Sequence, residues 1–220
     1  SNEAGRTQLR TTVAVQPDPS LAPWLRFHAR VAAPVRRIEG RALLVPASGL
    51  SVISDIDDTV KVTQVRDKRA LMANTFLNPF EAVPGMARAY TAWADDGAVF
   101  HYVSSSPWQL YPALAQLLAE SGLPAGSFHL REIGLGDRSF LDLFDTPADA
   151  KVPTISAIIR RWPQRKFVLV GDSGEQDPEI YARIYQEFPG NVLHIFIRNV
   201  TDEGDEAPRS LRASPEMRVD

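Results

Sequence analysis

Short apolar runs alternate with longer stretches of helical spacing over most of this chain. The apolar runs read LSVISD, AVFHYVSSS, RKFVLVGDSG and NVLHIFIRN. The helical stretches read PGMARAYTAWADDG, PWQLYPALAQLLAESG, VPTISAIIRRWP and PEIYARIYQEFPG, and proline or glycine brackets several of them. Strands and helices that alternate in this way form a parallel sheet covered on both faces. The sequence therefore predicts an α/β domain.

The chain is predicted to divide into an extension, a main domain and a tail. Residues 1–46 contain WLRFHARV and GRALLVP, whose alternation of apolar and polar residues predicts a small β ribbon. Residues 47–200 form the main domain, in which the irregular connections 61–83 and 132–150 are long enough to be functional or disordered. The tail, 201–220, is charged and contains proline, which predicts a flexible end.

Composition excludes several classes of protein. The formal net charge of -3 gives no overall field that would attract nucleic acid. Without cysteine the chain has no disulfide, thiolate metal site or cysteine nucleophile. No apolar stretch approaches the roughly 20 residues that span a bilayer, so we expect a protein that is soluble or peripheral to a membrane. The compartment stays open, because the opening dipeptide SN is typical of a tag remnant and a natural signal can be absent from this sequence.

Acidic and hydroxyl residues follow three of the predicted strands. They are Asp55, Asp57 and Asp58 after the first strand, the serines at 104–106, and the segment 171–177, which reads GDSGEQD. In a parallel α/β sheet the ligand site lies beyond the carboxyl ends of the strands, so these segments are expected to meet at one edge. Strand alternation directs Asp55 and Asp57 to one side and Asp58 to the other.

This set of residues indicates a carboxylate site that holds a cation. Two carboxylates two residues apart suit a nucleophile and a general acid/base. Their repulsion, and that of Asp172 and Asp177, requires a cation. Oxygen ligands without histidine or cysteine select Mg²⁺ over zinc. An EF-hand does not fit, because Val60 stands where the required glycine would be, and the sequence has no P-loop signature.

The motifs resemble those of a known enzyme superfamily. DIDDT, a hydroxyl after the second strand, a lysine that opens a helix and GDSGEQD are similar to the motifs of haloacid dehalogenase superfamily phosphatases. ISDIDDTVKVT, FHYVSSSPWQLYP and FVLVGDSGEQDPEIY resemble the catalytic domain of actin-patch-associated, lipin-like phosphatidate phosphatases and their bacterial relatives. The resemblance covers about residues 40–200. It implies a Rossmann-like haloacid dehalogenase fold and Mg²⁺ as cofactor. Neither of the two irregular connections is large enough to form a full cap domain, so we expect no large cap domain.

The resemblance also implies a role for individual residues. Asp55 would attack phosphorus and form an aspartyl-phosphate, while Asp57 would protonate the leaving alcohol and then activate water. Ser104 would bind phosphoryl oxygens, and Lys151 would neutralise charge on the phosphoryl group and on Asp55. The implied metal ligands and their support are Asp55, Asp57 through its backbone carbonyl, Asp172 and Asp177.

Several of these assignments have competitors within the sequence. Ser105 and Ser106 compete with Ser104, and Lys166, at the amino end of its strand, competes with Lys151. Asp58 suits a structural role as a cap of a turn or helix. The candidate substrate-binding residues are Thr59, Ser105, Trp108 and Arg131, with Arg198 as a further cation after a strand.

The expected substrate is phosphatidate, a phosphorylated lipid, which would be hydrolysed to diacylglycerol and phosphate. An open site suits a headgroup that stays in a membrane, and it equally suits a soluble phosphoester or a phosphoprotein. A non-catalytic phosphatidate-binding module for membrane recruitment is the alternative from another class, but Asp55 and Asp57 are both present and favour the enzyme. Basic and then apolar residues in 61–83 either contact an anionic membrane surface or fold back beside the site.

Overall fold

The computed structural model describes residues 24–31, 36–63, 80–132, 151–200 and 217–219. The chain divides into two compact units, Ser1–Pro46 and Ala47–Asp220. In the first unit, strands β1 (Trp24–Val31) and β2 (Arg36–Leu43) pair antiparallel, which confirms the predicted ribbon. Strand β2 begins four residues before the GRALLVP stretch, at Arg36 rather than at Gly40.

The second unit contains a parallel sheet of strand order β5-β4-β3-β6-β7-β8. Its strands are β3 (Ser48–Ser54), β4 (Val99–Pro107), β5 (Gly126–Arg131), β6 (Gln164–Asp172), β7 (Val192–Arg198) and β8 (Met217–Val219). Its helices are α1 (Met86–Asp95), α2 (Tyr111–Glu120), α3 (Lys151–Arg161) and α4 (Asp177–Glu187), with a 3₁₀ turn at Trp108–Leu110. The predicted α/β fold is thus confirmed.

Both faces of this sheet are buried under helices. Ile53 and Leu169 pack with residues of α3 and α4 on one face, while Val52 and Val168 pack with residues of α1 and α2 on the other. Val52 and Ile53 are both fully buried, because successive side chains of a strand point to opposite faces. Burial of each such side chain stabilises the fold by about 1.5–3 kcal/mol. Burial on both faces explains why the strands read as continuous apolar runs.

Some predicted features lie largely outside the described residues. Most of the connections 61–83 and 132–150 is in this category, and with it the predicted lack of a large cap and the membrane contact. The same holds for most of the predicted tail, 201–220, but Met217–Val219 forms β8 and pairs in parallel with β7. Among the described residues, no helix combines the length and the apolar character needed to cross a membrane.

A row of polar side chains crosses the sheet inside this apolar core. The guanidinium Nε of Arg165 donates a hydrogen bond to Ser51 Oγ at 2.7 Å, and Ser51 Oγ lies 3.4 Å from His101 Nε2. His101 Nδ1 lies 2.7 Å from Ser127 Oγ, which in turn lies 2.9 Å from His129 Nε2. We call these five residues the polar row. His101, which the sequence places inside a strand, is a fully buried histidine with a partner at each ring nitrogen.

The buried His101 is expected to make the fold sensitive to acid. Burial, together with the nearby His129 and Arg165, lowers the pKa of His101 to about 3, whereas an unfolded histidine titrates near pH 6.5. Below about pH 6.5 His101 binds a proton in the unfolded chain but not in the folded chain. The free energy of unfolding therefore falls as pH decreases towards 3. The contribution reaches about 1.4 kcal/mol per pH unit.

Denaturant unfolding between pH 3 and pH 7 measures this effect. The His101→Asn variant should show a shallower decline with acid than the wild type. The matched control is His28→Asn, which changes an exposed histidine of β1 and should leave the slope unaltered. Equal slopes for the wild type and His101→Asn would contradict the prediction.

Candidate active site

The carboxyl end of β3 lies at the point where the strand order of the sheet reverses. Strand β3 lies between β4 and β6, and later strands add outward on both sides. Such a switch point opens a crevice beyond the strand ends, which is where α/β proteins bind ligands. Asp55 follows β3 directly, and its backbone N–H donates to Val170 O of β6 at 2.8 Å. The sheet thereby fixes Asp55 in the crevice, almost fully buried.

A tight turn follows Asp55 and brings the chain back upon itself. The N–H groups of Val60 and Lys61 both donate to Ile56 O, and Asp58 N–H donates to Lys61 O at 2.7 Å. Asp58 has a φ of 53°, a left-handed conformation that aspartate tolerates better than most residues. Its carboxylate accepts the N–H of Thr63 at 2.7 Å. Asp58 therefore stabilises this turn, in line with the structural role expected for it.

Lys151, at the start of α3, joins three carboxylates. Its Nζ lies 2.7 Å from Asp55 Oδ1, 2.7 Å from Asp177 Oδ1 and 3.0 Å from Glu175 Oε2. Burial alone would lower the pKa of Lys151, but the surrounding carboxylates outweigh it and hold that pKa well above the usual value. Lys151 is thus a permanently charged group beside Asp55. Lys166 is exposed near the amino end of β6, away from these carboxylates.

The three carboxylates around Lys151 are close enough together to suggest a metal site, but the ammonium already lies among them. One oxygen each from Asp55, Glu175 and Asp177 lies within 4.8 Å of the others. Each of these residues accepts a hydrogen bond from Lys151 Nζ. A metal ion at their centre would have to displace the ammonium, so we assign this position to Lys151.

The oxygens on the other side of Asp55 fit a divalent cation better. Asp55 Oδ2 is buried and has no hydrogen-bond partner among the described residues. Within the described part of the chain, the one hydrogen bond to Asp172 Oδ2 is a long contact, 3.5 Å, from Thr59 Oγ1, whereas Asp172 Oδ1 accepts the N–H groups of Gly174 and Glu175. Buried carboxylate oxygens that lack donors are costly unless a cation meets them. Hard oxygen ligands of this kind suit Mg²⁺.

The raised pKa values of Asp55 and Asp172 also indicate that too little positive charge lies near these two carboxyl groups. Burial raises the pKa of Asp55 well above its usual value, and Asp177, Glu175 and Asp172 raise it further against the pull of Lys151. Burial, together with Asp177 and Glu175, raises the pKa of Asp172 to about 8. A divalent cation between Asp55 and Asp172 would stabilise both ionised forms.

Two further residues of the predicted site contact Asp172. Asp177 is fully buried, and its oxygens contact Lys151 Nζ and, at 3.3 Å, the backbone N–H of Asp172. A Cβ at Gly171 would overlap this carboxylate, so glycine is required there. Asp177 thus supports Asp172 and Lys151 from behind. Thr59, expected among the substrate contacts, is fully buried and donates towards Asp172.

Four donors surround the carboxylate of Asp57. Lys61 Nζ and Thr63 Oγ1 donate to Oδ1 at 2.9 and 2.8 Å, and the hydroxyls of Ser104 and Ser106 donate to Oδ2, each at 2.9 Å. Burial alone would raise the pKa of Asp57, but the charge of Lys61 and these hydrogen bonds lower it to about 2. Asp57 is therefore ionised at neutral pH in this form, and it becomes a better proton acceptor only when one of these donors moves away.

Sequence reasoning missed several of these contacts. Lys61, grouped with the long connection, is 1% exposed and pairs with Asp57. The alternation of Val60, Lys61, Val62 and Thr63 was the available signal, since it places the two polar residues on one side. Glu175 lies within GDSGEQD, but spacing alone does not show which acid in that segment faces Lys151.

A pocket opens beside the carboxylates, at the carboxyl ends of β4 and β5. The residues that line it are Val103, Ser104, Ser105, His129, Leu130, Arg131, Lys151 and Thr154. Its lining includes Ser104, Ser105, Arg131 and Lys151, which were predicted from the sequence as catalytic or substrate-binding residues. Within the pocket, Ser104 Oγ also accepts the N–H of Ser106 at 2.9 Å, which fixes the hydroxyl beside Asp57.

Two other predicted residues lie outside this lining. Trp108 is 37% exposed, directly after β4, and its ring centroid lies 5.9 Å from that of Tyr111, which is 40% exposed. Arg198 Nη1 donates to Asp58 O at 2.6 Å, so it supports the turn after Asp55.

The fold and the site define the class of protein. A parallel sheet carries an aspartate pair after its central strand, a lysine at the start of a later helix and acidic residues after the next strand. This is the arrangement of haloacid dehalogenase-type phosphatases. The family model described as phosphatidate phosphatase APP1, catalytic domain, matches residues 50–199. The chain belongs to this family.

The chain is similar in sequence to two relatives and in part of its fold to a solved hydrolase. Phosphatidate phosphatase APP1 of Saccharomyces cerevisiae is 34% identical over 164 residues, which cover 73% of this chain and 27% of that protein. An uncharacterized protein of Schizosaccharomyces pombe is 36% identical over 160 residues, covering 71% of this chain and 26% of that protein. The chain therefore spans about a quarter of the length of these relatives. A solved haloacid dehalogenase-like hydrolase from Burkholderia xenovorans is 11% identical, with a TM-score of 0.45, over 73% of this chain and 90% of its own.

Proposed function

We propose that the protein is a Mg²⁺-dependent phosphatase that uses Asp55 as its nucleophile and phosphatidate as its substrate. The observation that carries the proposal is Asp55 Oδ2, a buried carboxylate oxygen without a hydrogen-bond partner among the described residues. The other oxygen of Asp55 is held by Lys151, which also lines the pocket. Lys151 holds one oxygen of Asp55 and so fixes the orientation of the carboxylate beside the pocket, while the second oxygen has room for a cation or for phosphorus.

The first half of the reaction transfers the phosphoryl group to the protein. A carboxylate oxygen of Asp55 forms a bond to phosphorus while the bond from phosphorus to the ester oxygen breaks. The leaving alkoxide takes a proton from Asp57, which is ionised in the free protein and acquires that proton from solvent once substrate has bound. Lys151 and Ser104 donate to phosphoryl oxygens. When Ser104 turns to the phosphoryl group, Asp57 loses one of the hydrogen bonds that lower its pKa, which helps it to carry that proton.

The second half regenerates Asp55. Water attacks phosphorus of the aspartyl-phosphate, Asp57 accepts the proton of that water, and the bond between phosphorus and Asp55 breaks to release phosphate. Asp55 and Asp172, with the backbone carbonyl of Asp57, would hold Mg²⁺, which neutralises phosphoryl charge when bound. The remaining residues supply the positioning and charge neutralisation on which phosphoryl transfer depends.

The choice of phosphatidate is supported by the family and by two exposed aromatic residues. The Saccharomyces cerevisiae relative is a phosphatidate phosphatase. Trp108 and Tyr111 are partly exposed at the end of β4, on the segment that follows Ser104 and Ser105. Rings with one apolar and one polar end prefer the interface between membrane and water, so these two residues suit a substrate that stays in a lipid surface.

Phosphate release from several substrates tests the proposal. The assay compares phosphatidate in mixed micelles with glycerol 3-phosphate and a phosphoserine peptide, each with Mg²⁺ and with chelator. We expect Mg²⁺-dependent release from phosphatidate that exceeds release from the other two. Asp172→Asn should lose most of the Mg²⁺-dependent rate and the Mg²⁺-dependent rise in Tm, because it removes a ligand. The control is Asp96→Asn, an exposed aspartate after α1.

Each contrary outcome identifies a different function. Faster phosphate release from the peptide or from glycerol 3-phosphate would show that phosphatidate is not the preferred substrate, while the proposed reaction mechanism would still hold. Binding to phosphatidate micelles without release would make the protein a recruitment module. Release that is unchanged by chelator would contradict the metal site.

A further inference from the structure

His129 connects the polar row to the pocket. It lies on β5, two residues before Arg131, so both side chains point to the same side of the strand. Both residues line the pocket that contains Ser104 and Lys151. The ring of His129 is bonded through Nε2 to Ser127, and Nδ1 has no partner among the described residues. One ring nitrogen of His129 therefore remains for a ligand.

The polar row connects the tautomer of His129 to Arg165 through two serine hydroxyls. Arg165 can only donate, so Ser51 accepts its N–H, and we assign the hydrogen of Ser51 to His101 Nε2, which lies 3.4 Å away. A neutral His101 that accepts at Nε2 carries its proton at Nδ1 and donates it to Ser127.

The same reasoning extends from Ser127 to the pocket. Having accepted from His101, the Ser127 hydroxyl donates to His129 Nε2, which leaves the proton of a neutral His129 on Nδ1. Burial lowers the pKa of both histidines, which keeps the rings neutral. With these directions, the row places a donor at its far end, on His129 Nδ1.

The chemistry of the pocket indicates what this donor binds. Apart from two apolar residues, its lining offers donor groups from serine, threonine, histidine, lysine and arginine, and none of these lining residues is acidic. The proposed phosphoryl contacts use Ser104 and Lys151, and His129 lies beside them in the same lining, where another part of the substrate would meet it. A neutral donor suits an uncharged acceptor such as an ester carbonyl, since charged donors favour anions.

We propose that the Nδ1–H group of His129 donates a hydrogen bond to an ester carbonyl oxygen in the alcohol part of the substrate, and that the polar row fixes the tautomer required. His129 is then a specificity residue that distinguishes an acylated phosphoester from a phosphoryl group alone. The inference rests on the proposed function, because the alcohol part is assigned relative to the phosphoryl contacts of Ser104 and Lys151.

Equilibrium binding to a non-hydrolysing chain tests the contact. In an Asp55→Asn background, calorimetry measures the Kd for dioctanoyl phosphatidate and the Kd for inorganic phosphate. His129→Phe keeps a ring but has no donor. It should raise the Kd for dioctanoyl phosphatidate about tenfold, which is the effect of losing one ordinary hydrogen bond. It should change the Kd for inorganic phosphate by less than about twofold. His129→Asn places an amide donor near Nδ1 and should restore most of the lost affinity.

The tautomer has a separate readout. Nitrogen-15 NMR of the imidazole rings should show His129 protonated at Nδ1, and Ser127→Ala should shift it towards the Nε2-protonated form that free imidazole side chains favour. Protonation at Nε2 in the wild type would overturn the assignment of the polar row. The contact would be overturned if His129→Phe raised the Kd for both ligands equally or changed neither Kd. It would also be overturned if the parent chain, Asp55→Asn, bound neither ligand. Selective weakening together with a wild type that releases no phosphate would support the contact and contradict the proposed catalysis.

Discussion

Replacement of Asp55 by asparagine should reduce phosphate release at least about a thousandfold, the scale on which loss of a nucleophile acts. The amide oxygen can still accept from Lys151, which donates to Oδ1 at 2.7 Å in the wild type. The change removes a buried carboxylate whose pKa is raised by burial and by its acidic neighbours. The free energy of unfolding without metal should therefore stay within about 1 kcal/mol of the wild type.

The matched control for Asp55→Asn is Asp58→Asn. Asp58 lies three residues further along the chain and accepts the N–H of Thr63, a contact that an asparagine oxygen can replace. Asparagine also tolerates the left-handed backbone at this position. We expect less than about a tenfold loss of phosphate release from this control. Release by Asp55→Asn at the level of Asp58→Asn would exclude Asp55 as the nucleophile.

Replacement of Lys151 by methionine should damage both folding and activity. The ammonium is almost fully buried and is hydrogen-bonded to Asp55, Glu175 and Asp177. Removal of one partner from a buried ion pair costs about 3–5 kcal/mol, because it leaves uncompensated charge. Denaturant unfolding should show a loss of this size. Phosphate release should fall about a hundredfold or more, since Lys151 neutralises phosphoryl charge in the proposed mechanism.

The control for Lys151→Met is Lys166→Met, which tests the competing lysine of the sequence directly. Lys166 is exposed near the amino end of β6, far along the strand from the crevice. Its replacement should change the free energy of unfolding by less than about 0.5 kcal/mol and leave phosphate release intact. A larger loss of release from Lys166→Met than from Lys151→Met would reverse the assignment of the two lysines.

The sequence predicted the sheet and the meeting of its polar ends because both depend on backbone pattern. Apolar runs such as the one ending at Ser54 must be buried, and parallel strands bring their carboxyl ends to one edge. These two rules predict from the sequence that Asp55, Ser104 and Asp172 lie near one another. The position of Lys151 at a helix start was likewise readable from the pattern.

The side-chain partners could not be predicted in the same way. The contact of Lys61 with Asp57 depends on the left-handed backbone at Asp58, which the letters DDT do not specify. The contact of Glu175 with Lys151 depends on how the segment after β6 turns, and aspartate and glutamate alternate there without a distinguishing spacing. Such contacts are set by dihedral angles, to which the pattern of apolar and polar residues is insensitive.

The two catalytic carboxylates proposed here differ in how far along the chain their partners lie. Asp57 Oδ1 is neutralised by Lys61 and Thr63, four and six residues away, as soon as the turn forms. The counter-charge of Asp55 is separated from it by 96 residues and arrives only when α3 docks. Local structure therefore supplies the counter-charge of Asp57, although Ser104 and Ser106 reach its other oxygen from 47 and 49 residues away, whereas Asp55 gains its counter-charge only when α3 packs against the sheet. Completion of the fold and activation of Asp55 are then one event.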